Sequence, residues 1–404
     1  MRILVISQYY YPEQFRITDI CEEFAHRGHD VTVICAPPNY PEGKIYPGYE
    51  NESRQDEVVH GVHVIRVPAR PRYQGSINLA RNYLSYMLQA SWKVLRMHGD
   101  FDIIYVWEIS PVSLGFPAII ARKKWHIPAL FYCLDVWPDA IKEVVHNEKS
   151  LLYQATRWFS SFVYNGMDFV LVKSKSFKPY LQQVCHVPAD KIDIMYEHAE
   201  EGYLCISEEP ERNDVVDFMF LGNIGKSQQC EVIVDAVREL DASLPFIVHF
   251  VGSGSMLSSV QHRVQDYGLE DKILFHGRHP LDEMPKYYNL ADVCILTLSD
   301  NDASCLTVPA KLQGYMAAAR PVVAATSGDA QEVIEESGCG FCVNSGDSHG
   351  LARDMLYCID HQEKLTEMGK KGRKFFLQNY TKKIFMDKMD TLFNRMVSMH
   401  HNDC

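Results

Sequence analysis

The sequence has no apolar run of the roughly 18 residues that a membrane-crossing helix needs, so no transmembrane span is expected. Its opening, MRILVISQ (1–8), turns polar too soon for a signal peptide. Glycine is missing from the turn after this first apolar run until Gly28, which excludes a nicotinamide-type GxGxxG loop there. None of the 17 histidines falls in an HExxH pattern, and His60 and His63, read as lying on one strand, would point to opposite faces. The one CxxC, Cys339 and Cys342, has no second pair to complete a zinc site, so no metal is expected. Cys35, Cys133 and Cys294 lie in apolar runs and read as reduced core residues of a cytoplasmic protein. A GxSxG elbow is absent, which argues against a serine hydrolase of that type. Excess positive charge is lacking too. The net charge of −12 argues against general nucleic-acid binding.

What remains is a soluble α/β pattern. A chain of 404 residues, 47% hydrophobic and 23% charged, is comfortable as two domains. Short apolar runs (RILVIS, DVTVICA, GVHVIRVPA, FDIIYVWE, PALFYCLD, DFVLVKS) alternate with helical spacing in a first domain, 1–199. The polar, acidic stretch 198–214 reads as a linker. VDFMFLGNIG restarts the alternation in a second domain, 214–379, and 380–404 reads as a helix returning to the first, with MHHNDC frayed.

Polar residues gather after the strands. The first turn offers Tyr11, Glu13 and Arg16 at a strand's carboxyl end, where open α/β sheets bind ligands. DVWPDA places Asp135 and Trp137 at another such end. GNIGKSQQ (222–229) supplies glycines for close backbone approach and Lys226 for phosphate. VGSGS, with Gly252, is a weaker turn of the same kind, and DND (300–302) reads as a loop rather than a metal motif. In TVPAKLQGYMAAARPVVAAT (307–326), Pro309 suits a first helical position, and the free N–H groups of Ala310 and Lys311 open an anion site. Between Gly61 and Leu130, nine Arg/Lys face Asp100, Asp102 and Glu108. A solvated face is the default reading of that basic segment; an anionic membrane surface or a phosphorylated lipid acceptor is the alternative. The helical stretch 78–98 within it reads as a core helix, with a cleft-wall or membrane-proximal helix as the alternative.

The order of ISQYYYPEQFRITDICEEFAHRGHDVTV, PNYPEGK, NYLSY, LDVWPDA, VKSKSF, FLGNIGKSQ, TVPAKLQGYMAAARPVV and GCGFCVNSGD resembles retaining family-4 glycosyltransferases of the GT-B fold. The nearest subgroup is that typified by the O-antigen N-acetylfucosamine transferase WbuB. The resemblance implies two Rossmann-like domains facing a central cleft. It implies a nucleotide sugar, expected to be UDP-linked, as co-substrate in the second domain, without cofactor or metal. It also implies a polyprenyl-diphosphate-linked acceptor in the first, and work at the cytoplasmic face of the plasma membrane on O-antigen or capsule. Lys226, Lys311, Asp135 and Glu13 would be catalytic. Gly222, Asn223, Gly225, Gly252, Thr307, Val308 and Pro309 would join the two lysines in holding the donor. Tyr11, Arg16, Asn39 and Trp137 would meet the acceptor. The chain departs from the family's pair of glutamates, with Leu306 and Gly314 in their places, and has Leu134 before Asp135, Ala319 for a glycine, and Tyr196 and His198 before the linker.

Two other readings stay open. A sugar-nucleotide 2-epimerase would isomerise the donor without an acceptor. A non-catalytic partner of a glycan-assembly complex would turn over no donor–acceptor pair.

Overall fold

Runs such as RILVI, IIYVWE and VDFMFL bury side chains on both faces, the mark of central parallel strands covered by helices on either side. The structure is a computed structural model that describes residues 1–50, 54–73, 75–145, 147–210, 213–300 and 305–403. The chain divides into two compact units, Met1–Met195 with Met386–Cys404, and Tyr196–Phe385.

The first unit runs β1 (Arg2–Ile6), α1 (Arg16–His26), β2 (Asp30–Cys35), β3 (Asp56–Val59), β4 (Val62–Arg66), α2 (Ser76–Arg96), β5 (Ile103–Glu108), α3 (Gly115–Trp125), β6 (Ala129–Cys133), α4 (Leu151–Asn165), β7 (Phe169–Val172), α5 (Phe177–Cys185) and β8 (Ile192–Ile194). Its sheet has the order β3-β4-β2-β1-β5-β6-β7-β8, parallel except for β3. The β3–β4 hairpin turns at His60 and Gly61, both at positive φ, the geometry of a tight primed turn. His60 is therefore in the turn and not on the strand expected for it. It bonds Glu22 at 2.6 Å, while His63 bonds Asp56 at 2.6 Å.

The second unit runs β9 (Val216–Leu221), α6 (Cys230–Glu239), β10 (Phe246–Val251), α7 (Leu257–Tyr267), β11 (Ile273–Gly277), α8 (Met284–Leu290), β12 (Val293–Thr297), α9 (Ala310–Ala317), β13 (Val322–Ala325), α10 (Asp329–Ser337), β14 (Gly340–Val343), α11 (Ser348–Asp360) and α12 (Gln362–Asn379). Its parallel sheet has the order β11-β10-β9-β12-β13-β14. The stretch expected to be a linker belongs to this unit. Buried arginines hold its carbonyls: Arg373 donates to Ile206 O at 2.9 Å and Arg320 to Ser207 O at 3.0 Å. Ala199 N also bonds Tyr380 O at 2.9 Å.

The last helix, α13 (Lys382–Asp403), continues through most of the MHHNDC expected to fray. From Met386 on it belongs to the first unit, where the Phe393 ring lies 5.3 Å from Phe24 and 5.8 Å from Tyr105. Eleven cysteines are free thiols among the described residues, most of them buried.

Candidate functional site

In the second unit, the turns after β9 and β10 interlock. Ile224 N bonds Ser253 O at 2.9 Å, and Met256 N bonds Ile224 O at 2.9 Å. Glycine is required where they touch. A Cβ on Gly252, at φ 153°, would sit 1.8 Å from Gly222 O, and one on Gly254 would sit 2.4 Å from Ile224 O. Gly222, at φ 131°, faces Lys311 instead, with the lysine Nζ 3.6 Å from where its Cβ would be. Asn223 is exposed, Gly225 is buried behind it, and Lys226 is exposed at the start of a single 3₁₀ turn, Lys226–Gln228.

Lys311 enters from α9, the helix that follows Thr307, Val308 and Pro309, all half-buried. Pro309 has φ −71° and ψ 139°, so it is the extended cap before the helix, one position earlier than expected. The Lys311 ammonium donates to Gln228 Oε1 and lies 4.2 Å from the Phe220 ring centre. Burial pushes its pKa down to about 8, only partly opposed by the nearby Cys230 thiol. The glycine turn bearing Lys226 and the helix start bearing Lys311 therefore meet through Gln228. This is a cationic cradle at the carboxyl edge of the sheet, the chemistry that holds a diphosphate. Gln228, inside the glycine motif, and Phe220, just before it, were given no role in the sequence reading.

Gly314 explains one departure from the family pattern. A Cβ there would meet Tyr288 Oη at 2.7 Å and the Tyr203 ring at 3.5 Å. The space beside Gly314 is filled by this aromatic pair, whose ring centres lie 4.6 Å apart. Asn301 and Asp302 of the DND stretch lie outside the described residues.

In the first unit, Asp135 follows β6 and accepts from Ser110 Oγ at 2.5 Å. Trp137 Nε1 donates to the same hydroxyl at 3.1 Å. Behind them Glu108, fully buried at the end of β5, accepts from Ser110 N at 2.7 Å and Asp135 N at 3.4 Å. Burial, then the Asp135 charge, raises the Glu108 pKa well above the usual range. Ser110 holds φ 94°, a conformation that only glycine takes freely. The Tyr83 hydroxyl of α2 feels this group and Arg72, and burial raises its pKa. Arg72 Nη1 donates to Tyr9 Oη at 3.3 Å. The sequence reading met Arg72 and Glu108 only as charges of the basic segment and Tyr83 only within NYLSY, and gave none of them, nor Ser110, a place in the site, though Glu108 ends an apolar run where burial of an acid is a signal.

Glu13 and Asn39 are turned inward. Glu13 Oε1 accepts from the N–H groups of Asn39 and Tyr40, each at 2.7 Å, and burial lifts its pKa to about 7. The Asn39 amide is taken up by Pro37 O at 2.8 Å and Arg72 N at 2.7 Å. Both residues tie loops together beside Tyr9. Tyr11 gives its carbonyl to Arg66 at 3.0 Å, and Arg16 is half-buried as the first residue of α1. A cavity of about 570 Å³ lined by Asp168, Lys178, Asp193 and Arg395 lies at the opposite, amino-terminal edge of the first sheet, away from these residues. Among the described residues no group of three or more His, Cys, Asp or Glu could hold a metal ion.

Residues 14–196 match the family described as Glycosyl transferase 4-like domain, and residues 216–361 that described as Glycosyl transferases group 1. Uncharacterized glycosyltransferase MJ1178 of Methanocaldococcus jannaschii is 20% identical, over 82% of this chain and 83% of its own length. Putative colanic acid biosynthesis glycosyl transferase WcaI of Escherichia coli K12 is 21% identical, over 78% of this chain and 81% of its own. Among solved structures, Anabaena Alr3699/HepE in complex with UDP superposes with a TM-score of 0.71 at 15% identity, covering 98% of this chain and 100% of that one.

Proposed function

Because this chain is a glycosyltransferase of GT-B type with relatives in polysaccharide biosynthesis, we propose that it moves a sugar from a UDP-sugar to a lipid-linked glycan acceptor, with retention of configuration, at the cytoplasmic face of the plasma membrane. The WbuB-like motif order supports a product such as O-antigen or capsule, and the UDP bound by the HepE structure supports the nucleotide. One observation carries the reading: the Lys311 ammonium lies against Gly222 and Gln228, at the start of α9.

The second unit would hold the donor, its diphosphate in the cradle of Gly222, Asn223, Gly225, Lys226 and Lys311, with Gly252 backing it. The acceptor hydroxyl forms a bond to the sugar's anomeric carbon as the bond to the diphosphate breaks, and its proton passes to the departing diphosphate. Lys226, Lys311 and the α9 N–H groups stabilise that charge, so no side chain has to protonate the leaving group. Asp135, aimed by Ser110, would bind a hydroxyl, with Trp137, Tyr11 and Arg16 beside it. Glu13 and Asn39 would hold the loops around it.

The test is turnover by Lys311→Ala with a panel of UDP-sugars and lipid-diphosphate acceptors. Loss of one such charge should cost on the order of 10²- to 10³-fold in kcat while the melting temperature stays. Wild-type turnover in the variant refutes the assignment. Isomerised donor in the acceptor-free control would instead favour an epimerase.

A further inference from the structure

Two helices of the first unit carry their apolar stripes outward. On α2 the buried face includes Asn82, Tyr86, Ala90 and Ser91. The solvent face presents Ile77, Leu84, Leu88, Trp92 and Leu95, each more than half exposed and spaced along one side of the helix. On α4, Leu151 is 90% exposed and Trp158 69%, with Leu152 and Phe162 also open. Helix α3 lies between α2 and α4 and touches both, and its Phe116 ring sits 6.4 Å from those of Phe159 and Phe162. The two stripes therefore flank one helix of a single layer.

The charges on this layer have one sign. Neither α2 nor α4 contains an aspartate or glutamate. Arg81, Lys93 and Arg96 lie on α2, and the Arg96 guanidinium stacks 4.0 Å from the Trp92 ring centre. Lys123 is exposed at the end of α3. Other cations of the basic segment are occupied elsewhere: Arg66 is buried on Glu57, Arg122 pairs with Asp168, and Lys124 caps the carbonyls that end α2. Arg81 and Arg96 are the exposed cations left on α2, while Lys93 is half-buried.

Contiguous apolar area of this kind is rarely left to water. A second copy of the same face would set arginine against arginine across a two-fold axis. An anionic surface complements it. Leucine and tryptophan suit the acyl boundary, and arginine and lysine stems reach back to phosphate. Helix α2 also turns Tyr83 toward the Asp135 group, one residue before outward Leu84, so the outward stripe and the acceptor-side residues share one rigid element.

We propose that the α2–α4 layer docks in the plane of an anionic phospholipid bilayer, with Leu84, Leu88, Trp92 and Trp158 entering the acyl boundary and Arg81 and Arg96 meeting lipid phosphates. This names the surface by which a lipid-linked acceptor is reached, and its purpose rests on the proposed function. The test is co-sedimentation of the full chain with vesicles of phosphatidylcholine alone or mixed with phosphatidylglycerol, together with tryptophan emission. Wild type should sediment with the mixed vesicles and shift its emission to the blue, weakened but not abolished by high salt. Arg81→Gln with Arg96→Gln should lower partition by roughly 25-fold, at about fivefold per cation. Leu88→Gln with Trp92→Gln should lower it by about tenfold or more, whereas Leu274→Gln, on the second unit, should not change it. Equal binding by all variants, equal binding to phosphatidylcholine alone, or a wild-type dimer that the leucine variant loses would each overturn the proposal. Calorimetry of UDP binding on the same proteins separates the two readings. Vesicle binding without UDP binding supports the docking face and removes the donor assignment; UDP binding without vesicle binding overturns the docking face alone.

Discussion

At Lys311 the ammonium is held among protein atoms, and its pKa falls to about 8. An unfolded lysine titrates near 10.4. Between these values the unfolded chain binds more protons, so the contribution of Lys311 to stability rises with pH through that window. Diphosphate binding runs the other way, since it needs the charge. Near pH 9, UDP should therefore bind with proton uptake, read as a calorimetric heat that depends on the buffer, and Lys311→Met should abolish that dependence. Glu13 shows the opposite linkage. Its pKa is raised to about 7, so the folded state binds more protons from about 4.3 up to 7, and its contribution to stability falls as pH rises through that range. Glu13→Gln keeps an oxygen for Asn39 N and Tyr40 N without the buried charge. It should be at least as stable as wild type at pH 8, whereas Glu13→Ala should lose about 1–3 kcal/mol by leaving the buried Asn39 N–H and the partly buried Tyr40 N–H unpaired. Thermal melts at pH 5 and pH 8 decide both.

Among the elements, the interlocked glycine turns are the most sensitive to a single methyl. Gly252→Ala drives a Cβ into Gly222 O, so it should cost about 2 kcal/mol or more and abolish UDP binding. Gly268→Ala, at φ 65° with nothing within 4 Å, should cost only about 1 kcal/mol and leave UDP binding intact. Denaturant melts and calorimetry on the pair test this. Most strands were legible in the sequence because parallel strands are apolar on both faces and short. Strand β3 was not, since an exposed edge with the pattern DEVV lacks that run. Helix α4 went unnoticed and α2 read as a core helix for one reason: apolar residues on the solvent side blur the period that one-sided burial imposes. The site was legible where backbone chemistry spells it out, as in GNIGKSQ and VPAK. It was not legible where the partner is distant in sequence. Glu108 and Ser110 meet Asp135 across two strands, and Glu13 spends its oxygen on Asn39, 26 residues later, which spacing alone does not reveal.

For the molecule as a whole, the first sheet is covered in part by a helix from the far end of the chain. Phe393, fully buried against Phe24 and Tyr105, should cost about 3–5 kcal/mol on truncation to alanine. Arg27, bonded to Asp387 at 2.8 Å and Asp390 at 2.9 Å, should matter far less at its partly solvated position. Urea melts of Phe393→Ala and Arg27→Ala should rank in that order. The order of synthesis gives this arrangement a further meaning. Residues up to Met195 leave the ribosome early, yet Phe24 and Tyr105 stay uncovered until α13 emerges, after every strand of the second unit has been made. The lobe that is translated first is thus the one that finishes folding last, and in the interval its bare aromatic wall is a natural client for a chaperone.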